Sequence, residues 1–129
     1  MSWVELFLAL VVCHLVGDYL LQTDWQARHK RGGLSLHDAV ARRALCTHVA
    51  VYAFVLLPPL LIAGTTVQVV WAIALIAGSH LIQDDGRLLA LYMTHVKGIS
   101  PRTNPPLSTA VDQSFHIVVL FVIALLIGS

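Results

Sequence analysis

The chain has 129 residues, of which 57% are hydrophobic and only 12% are charged, and its mean hydropathy is +0.78. This composition excludes an ordinary soluble domain and indicates a small integral membrane protein. The formal net charge is +1, and eight basic residues are too few for a nucleic-acid-binding surface. We therefore expect membrane lipids, and no nucleic acid, among the partners of the chain.

Four apolar windows follow one another along the sequence, at residues 3–22, 44–63, 67–84 and 108–128. Each is close to the ~20 residues that a helix needs to cross the hydrocarbon layer. The sequence therefore predicts one all-α domain, residues 1–129, folded as a bundle of four transmembrane helices. The first window is not expected to be a cleaved signal peptide, because Glu5 replaces the usual basic segment and His14 and Asp18 interrupt the apolar run.

The basic residues predict the topology. All eight lie between the first and second windows or between the third and fourth: Arg28, Lys30, Arg31, Arg42, Arg43, Arg87, Lys97 and Arg102. By the positive-inside rule both of these connections are cytoplasmic, and both termini lie outside.

A short phrase is repeated in the two halves of the chain. His14-x3-Asp18 returns as His80-x3-Asp84, an offset of 66 residues. Each half also carries a His early in its second window, His48 and then His116. We interpret the chain as two similar helical hairpins related by a parallel pseudo-twofold axis.

The predicted topology places every intramembrane ionisable group at one depth, in the cytoplasmic halves of the four helices. Such groups are costly in hydrocarbon and are typical of functional sites. His nitrogen and Asp oxygen are common ligands of divalent transition metals, so we predict a metal site, with zinc the first choice and manganese or iron the alternatives. The predicted ligands are His14, Asp18, His48, His80, Asp84, Asp112 and His116. Asp18 or Asp112 could instead act as a catalytic base.

Three further polar residues are candidates for supporting roles. Gln22 continues the stripe of His14 and Asp18, and Gln113 follows Asp112; either could hydrogen-bond to a ligand or join two helices. His37 either reaches the site from the cytoplasmic side or lies at the membrane interface.

The motifs His14-x3-Asp18-x3-Gln22-Thr-Asp-Trp25 and Asp112-Gln113-x2-His116 resemble a family of small bacterial and phage polytopic membrane proteins of unknown function. This resemblance implies the inner (plasma) membrane of a bacterium as the location. More loosely, Arg43-x3-Thr47-His48 and Ser79-His80-Leu-Ile-x-Asp84 resemble a family of membrane-bound metal-dependent hydrolases. That resemblance implies metal ligation by His14, His48, His80 and Asp84. The chain departs from the first family at Asp85-Gly86, where the helix could end.

The favoured function is a metal-dependent hydrolase that acts on a lipid-linked or membrane-proximal ester or phosphoester. One alternative is a proton or cation transporter, although the outer halves of the windows are almost without polar residues. Another is a non-catalytic interaction protein whose polar or metal cluster holds the bundle together. Bis-His haem ligation by His14/His48 and His80/His116 is a further alternative. The small residues Gly17, Ala72 and Gly78 could support a homo-oligomer.

Overall fold

The computed structural model describes all 129 residues, and every regular element in it is helical. The elements are α1 (Trp3–Leu15), a π-helical turn (Val16–Leu20) that continues α1, α2 (Asp24–His29), α3 (Ala39–Ala63), α4 (Thr66–Asp85), α5 (Arg87–His95) and α6 (Pro105–Ile127). Four helices, the first one counted from Trp3 to Leu20, are long and apolar enough to cross a membrane. The prediction of an all-α chain with four spans is confirmed.

Two of the spanning helices begin three or more residues before their apolar windows do. The Asp38 side chain accepts a hydrogen bond from Ala41 N at 2.9 Å, so α3 begins at Ala39. Asn104 accepts from Leu107 N in the same way, and α6 begins at Pro105. Proline has no backbone N–H, but the N–H of the first helical residue has no partner within the helix, so proline fits this position. Hydropathy marks the membrane-embedded part of a helix, whereas the capping residue fixes where the helix starts.

The four spanning helices form a ring. α1 packs against α3 and α6, and α4 packs against the same two helices. The turn between α3 and α4 is short because Thr65 caps α4 directly after Gly64. The two chain termini meet at this same end of the bundle, where Ser129 N donates to the Met1 carbonyl at 3.4 Å. All basic residues therefore belong to the opposite end, which we call the basic end.

The interior of the bundle is apolar in the half near the termini and polar in the half near the basic end. The half near the termini holds an apolar core of twelve buried residues: Leu6, Leu10, Tyr52, Leu56, Leu60, Val69, Ala72, Ile76, Leu120, Ile123, Ala124 and Ile127. Only 28–39% of each span is buried, and large apolar side chains such as Leu20, Phe54 and Ile62 point outward. An apolar outer surface around a packed bundle is what a hydrocarbon solvent requires, and the chain is a multi-pass membrane protein.

The loop before α3 is fastened onto the end of α4. Asp85 is buried, its carboxylate accepts from Leu34 N at 2.9 Å, and its carbonyl accepts from Gly32 N at 2.9 Å. Gly86 then ends α4 in the left-handed conformation, with φ of +87°. The helix does end at Asp85, as the sequence suggested, and this ending brings residues 30–34 over the interior of the basic end.

The proposed duplication of a hairpin remains a prediction. α1 gives way to a π turn at Val16, whereas α4 stays α-helical to Asp85, so the two halves differ at the corresponding position. Two of the small residues that we considered for an oligomer contact are used within the chain: Ala72 is fully buried, and Gly17 lies against Tyr52.

Candidate metal centre

Four buried side chains from three helical segments meet inside the basic end. Asp18 comes from the π turn, His48 from α3, and His80 and Asp84 from α4. His48 Nε2 lies 3.1 Å from Asp18 Oδ1 and 3.0 Å from Asp84 Oδ2, and His80 Nε2 lies 3.2 Å from each of the same two oxygens. The two Nε2 atoms are themselves 3.0 Å apart. We call these four residues the primary cluster.

Hydrogen bonding alone does not account for this convergence. Each Nε2 carries at most one hydrogen, yet it faces three polar atoms within 3.2 Å. A cation in the middle would interact with all four donor atoms at once. Around an ion with bonds of about 2.0–2.1 Å, the corners of a tetrahedron lie about 3.3 Å apart. Five of the six separations in the primary cluster are 3.0–3.2 Å, close to that value.

A second group of possible ligands adjoins the first. Asp84, Asp112 and His116 place one ligand atom each within 4.8 Å of one another. His116 Nε2 lies 3.2 Å from Asp84 Oδ1 without hydrogen-bond geometry, and its Nδ1 is bonded to the Asp112 carbonyl at 2.8 Å. Asp84 thus directs Oδ2 to the primary cluster and Oδ1 to His116. A carboxylate in this arrangement can bridge two metal ions.

The π turn determines where Asp18 lies. Gly17, the preceding residue, lies so close to α3 that an added Cβ would be 2.8 Å from Tyr52 Cδ2. The Tyr52 ring in turn stacks on the His80 ring, with centroids 3.7 Å apart. Single π turns inside α-helices are frequent at functional sites. Here the wider turn, with no side chain at position 17, brings the Asp18 carboxylate into the primary cluster.

A chain of hydrogen bonds through Gln113, His14 and Tyr52 orients the Asp18 carboxylate. Gln113 Nε2 donates to Asp18 Oδ2 at 3.4 Å, and Gln113 Oε1 accepts from His14 Nε2 at 2.7 Å. His14 Nδ1 then accepts from the Tyr52 hydroxyl at 2.8 Å. Both His14 nitrogens are therefore occupied, and the structure does not place His14 among the possible ligands. This differs from the sequence prediction, because spacing on α1 indicates a shared face and says nothing of partners on α3 and α6.

Lys30 supplies a positive charge to the same centre. Its Nζ lies 2.6 Å from Asp84 Oδ2, and its side chain is only 14% exposed. Ionised Asp18, Asp84 and Asp112 together carry three negative charges, which Lys30 and one divalent cation would balance. Buried charge is costly unless it is compensated. The charges of the three aspartates and Lys30 therefore fit the binding of one divalent ion.

The donor atoms lie too close together for a porphyrin. All four ligand atoms of the primary cluster fall within 4.8 Å of one another, and Asp18 and Asp84 occupy positions beside the two imidazoles. Of the two axial pairs considered from the sequence, the His80 and His116 ring centroids are only 4.6 Å apart, too close for a haem iron between them. In the other pair, His14 has both ring nitrogens hydrogen-bonded. The donor set instead suits zinc or another small divalent ion.

Comparison with known families identifies the chain. Residues 6–129 match the family described as "Protein of unknown function (DUF3307)". The chain belongs to this family. No curated protein and no solved structure matches it. The match agrees with the resemblance to an uncharacterised family, and since that family carries no assigned reaction, function has to be argued from the site.

The remaining predicted residues of this DUF3307 chain take other positions. Gln22 donates to the backbone carbonyl of Asp18 at 3.2 Å. It therefore stabilises the end of the π turn and does not bond to the Asp18 carboxylate. His37 is exposed, and the structure does not bring it to the cluster. His29 and His95 are exposed as well. The polar interior is therefore assembled almost wholly from the spanning helices and Lys30.

Sequence reasoning missed two residues of the centre. Tyr52 follows His48 by four residues, and so the i, i+4 spacing that singled out the His-Asp pairs also marks it. Lys30 gave no such signal, because it lies in a connecting segment and was counted only for topology. Its contact with Asp84 depends on the fastening of residues 30–34 over the end of α4.

Proposed function

We propose that this protein is a membrane-embedded metal-dependent hydrolase, with one divalent ion held by Asp18, His48, His80 and Asp84. The observation that carries the proposal is that five of the six donor separations among these buried side chains are 3.0–3.2 Å, close to those of a tetrahedral site. Zinc is the first candidate ion, and manganese or iron would suit the same donors.

The metal alone does not make an enzyme, and the surrounding groups support the hydrolytic assignment. A divalent ion held by these four side chains would supply Lewis-acid chemistry and, by expanding to five-coordinate, would activate a water molecule for attack on an ester or phosphoester. Asp112 is half-buried beside the ligands but outside the primary cluster, so it is placed to accept the proton of that water. Lys30 adds a positive charge that would stabilise negative charge developing on the substrate.

The location of the centre favours a substrate at the membrane surface. The basic end carries all eight Lys and Arg residues, which by the positive-inside rule face the cytoplasm. The substrate would then be a lipid-linked or membrane-proximal ester on the cytoplasmic side. The half of the bundle near the termini is filled by the apolar core, which speaks against a transport route for ions through the molecule.

Metal analysis of detergent-purified protein tests the centre. We expect about one equivalent of a divalent transition metal in the wild type, and its loss in His48→Ala and His80→Ala. His95→Ala, which removes an exposed His, is the matched control and should keep the metal. Circular dichroism and size-exclusion chromatography check that each variant stays folded. Equal metal content in the folded His80→Ala and His95→Ala proteins would overturn the proposed ligands.

Hydrolysis is tested separately with Asp112→Asn. We expect this variant to retain the metal, because Asp112 is not in the primary cluster, and to lose hydrolysis of ester and phosphoester lipids by about 10²-fold or more. Metal-loaded wild type that hydrolyses none of these lipids would overturn the enzymatic assignment and favour a structural metal that holds the helices together.

A further inference from the structure

A cavity lined by two arginines opens at the basic end, outside the metal centre. Its volume is about 290 Å³. It is lined by two arginines, two hydroxyl residues and two prolines: Arg31, Arg102, Ser108, Thr109, Pro101 and Pro105. The apolar hollows elsewhere on the bundle lie between lipid-facing side chains such as Leu8 and Pro58, so this cavity differs from them in chemistry.

The two arginines of the cavity have no carboxylate partner. Three of the other six basic residues do: Arg28 pairs with Asp24, Lys30 with Asp84, and Arg87 with Asp85. Arg31 and Arg102 instead face a shared cavity whose lining contains no acidic residue. Two guanidinium groups beside one space repel each other unless an anion lies between them, and their planar N–H donors match the oxygens of a phosphate.

The walls of the cavity are held in place by specific contacts. Ser108 is buried, and its hydroxyl donates to the Pro101 carbonyl at 2.9 Å, which fixes the 100–105 turn against α6. Arg31 lies across Gly86, where an added Cβ would be 3.3 Å from Arg31 Nη1. Because the Ser108 hydroxyl is already used as a donor, Thr109 offers the free hydroxyl of the lining.

The cavity and the metal centre share two segments of the chain. Arg31 follows Lys30, which contacts Asp84. Ser108 precedes Asp112 by four residues on α6, about 6 Å along the helix axis. An anion held in the cavity would therefore lie roughly one helical turn from the second group of ligands, on the side toward the basic end.

We infer that this cavity binds a phosphate group, and that the substrate of the metal centre is a phosphate ester. This inference rests on the proposed function for the identity of the substrate, whereas the phosphate site can be tested without any turnover. Arg31, Arg102 and Thr109 are the donors to the phosphate. The phosphate belongs either to a lipid headgroup or to a water-soluble molecule, since the donors recognise the same group in both.

Binding measurements distinguish these sources. Inorganic phosphate is titrated calorimetrically into detergent-purified protein, and nanodiscs containing phosphatidic acid are compared with phosphatidylcholine nanodiscs for thermal stabilisation of the incorporated protein. We expect Arg31→Ala and Arg102→Ala each to weaken phosphate or phosphatidic acid binding at least tenfold at unchanged metal content. Arg43→Ala, which removes an exposed arginine outside the cavity, should bind as the wild type does. Binding of inorganic phosphate indicates a water-soluble ligand, and a response to phosphatidic acid alone indicates a lipid.

The same titrations in metal-free His80→Ala protein separate this inference from the proposed function. Phosphate binding that persists there, and that still depends on Arg31 and Arg102, supports the cavity even if no hydrolysis is found. Binding that is equal in the wild type and both arginine variants, or that disappears with the metal, would overturn the cavity as the phosphate site.

Discussion

At the scale of single residues, Asp84 connects the parts of the polar interior. One of its oxygens contacts Lys30, His48 and His80, and the other contacts His116. Helical spacing predicted that His80 and Asp84 share a face. The contacts with three other segments could not be predicted from spacing, because they depend on how the helices are rotated about their axes.

His14 was predicted to be a ligand, and in the structure both of its ring nitrogens are hydrogen-bonded. In the structure it links the Tyr52 hydroxyl to Gln113 and so orients Asp18. We therefore expect His14→Gln and Tyr52→Phe to keep the metal but to weaken its affinity about 10–100-fold, the usual effect of losing a residue that orients a ligand. Competition with a chromogenic chelator measures this, with His80→Ala as the reference for full loss. If His14→Gln lost the metal as completely as His80→Ala does, His14 would be a ligand.

At the scale of elements, the π turn is the feature that the sequence did not reveal. The apolar window predicted a continuous helix through residue 22, and no proline marks an interruption within it. The reason for the π turn lies in its packing against α3. The Tyr52 ring there occupies the space that a side chain at position 17 would need. By contrast, α3, α4 and α6 each begin after a residue of a common N-cap type, Asp38, Thr65 and Asn104, although the apolar windows placed these starts later.

Substitution of Gly17 tests the importance of this close approach. We expect Gly17→Ala to destabilise the protein by about 1–3 kcal/mol, since the new Cβ would press on Tyr52, whose ring is stacked against His80. The matched control is Gly78→Ala on α4, where an added Cβ meets no atom within 4 Å and helix propensity favours Ala by about 1 kcal/mol. Thermal unfolding in detergent compares the two variants. An unchanged midpoint for Gly17→Ala would show that the turn adjusts freely.

At the scale of the whole molecule, hydropathy and charge define the two ends of the bundle. The apolar core fills the half near the termini, and the buried His and Asp residues lie in the half near the basic loops. This division agrees with the predicted common depth of the His and Asp residues. It also concentrates the candidate metal centre and the arginine-lined cavity at one membrane surface.

Cysteine labelling tests the orientation that we predict. In a background where Cys13 and Cys46 are replaced by Ala, we expect Ser35→Cys and Ser100→Cys to react with a membrane-impermeant maleimide only after the cytoplasmic side is made accessible. Thr65→Cys, in the turn between α3 and α4, should react from the outside. Labelling of Ser35→Cys and Thr65→Cys from the same side would contradict a membrane-spanning α3.

The sequence by itself determined the number of spanning helices, the predicted side of the basic loops and the depth of the polar residues, because apolar length, charge and helical rise are properties of the chain alone. Only the tertiary structure decided which side chains share a centre. It joined His48 and His80, used both nitrogens of His14 for hydrogen bonds, and brought Lys30 to Asp84. Spacing along a helix gives the face of the helix on which a residue lies and its position along the helix axis. Its contacts with other helices depend on side-chain rotamers and on the packing of the neighbouring helices.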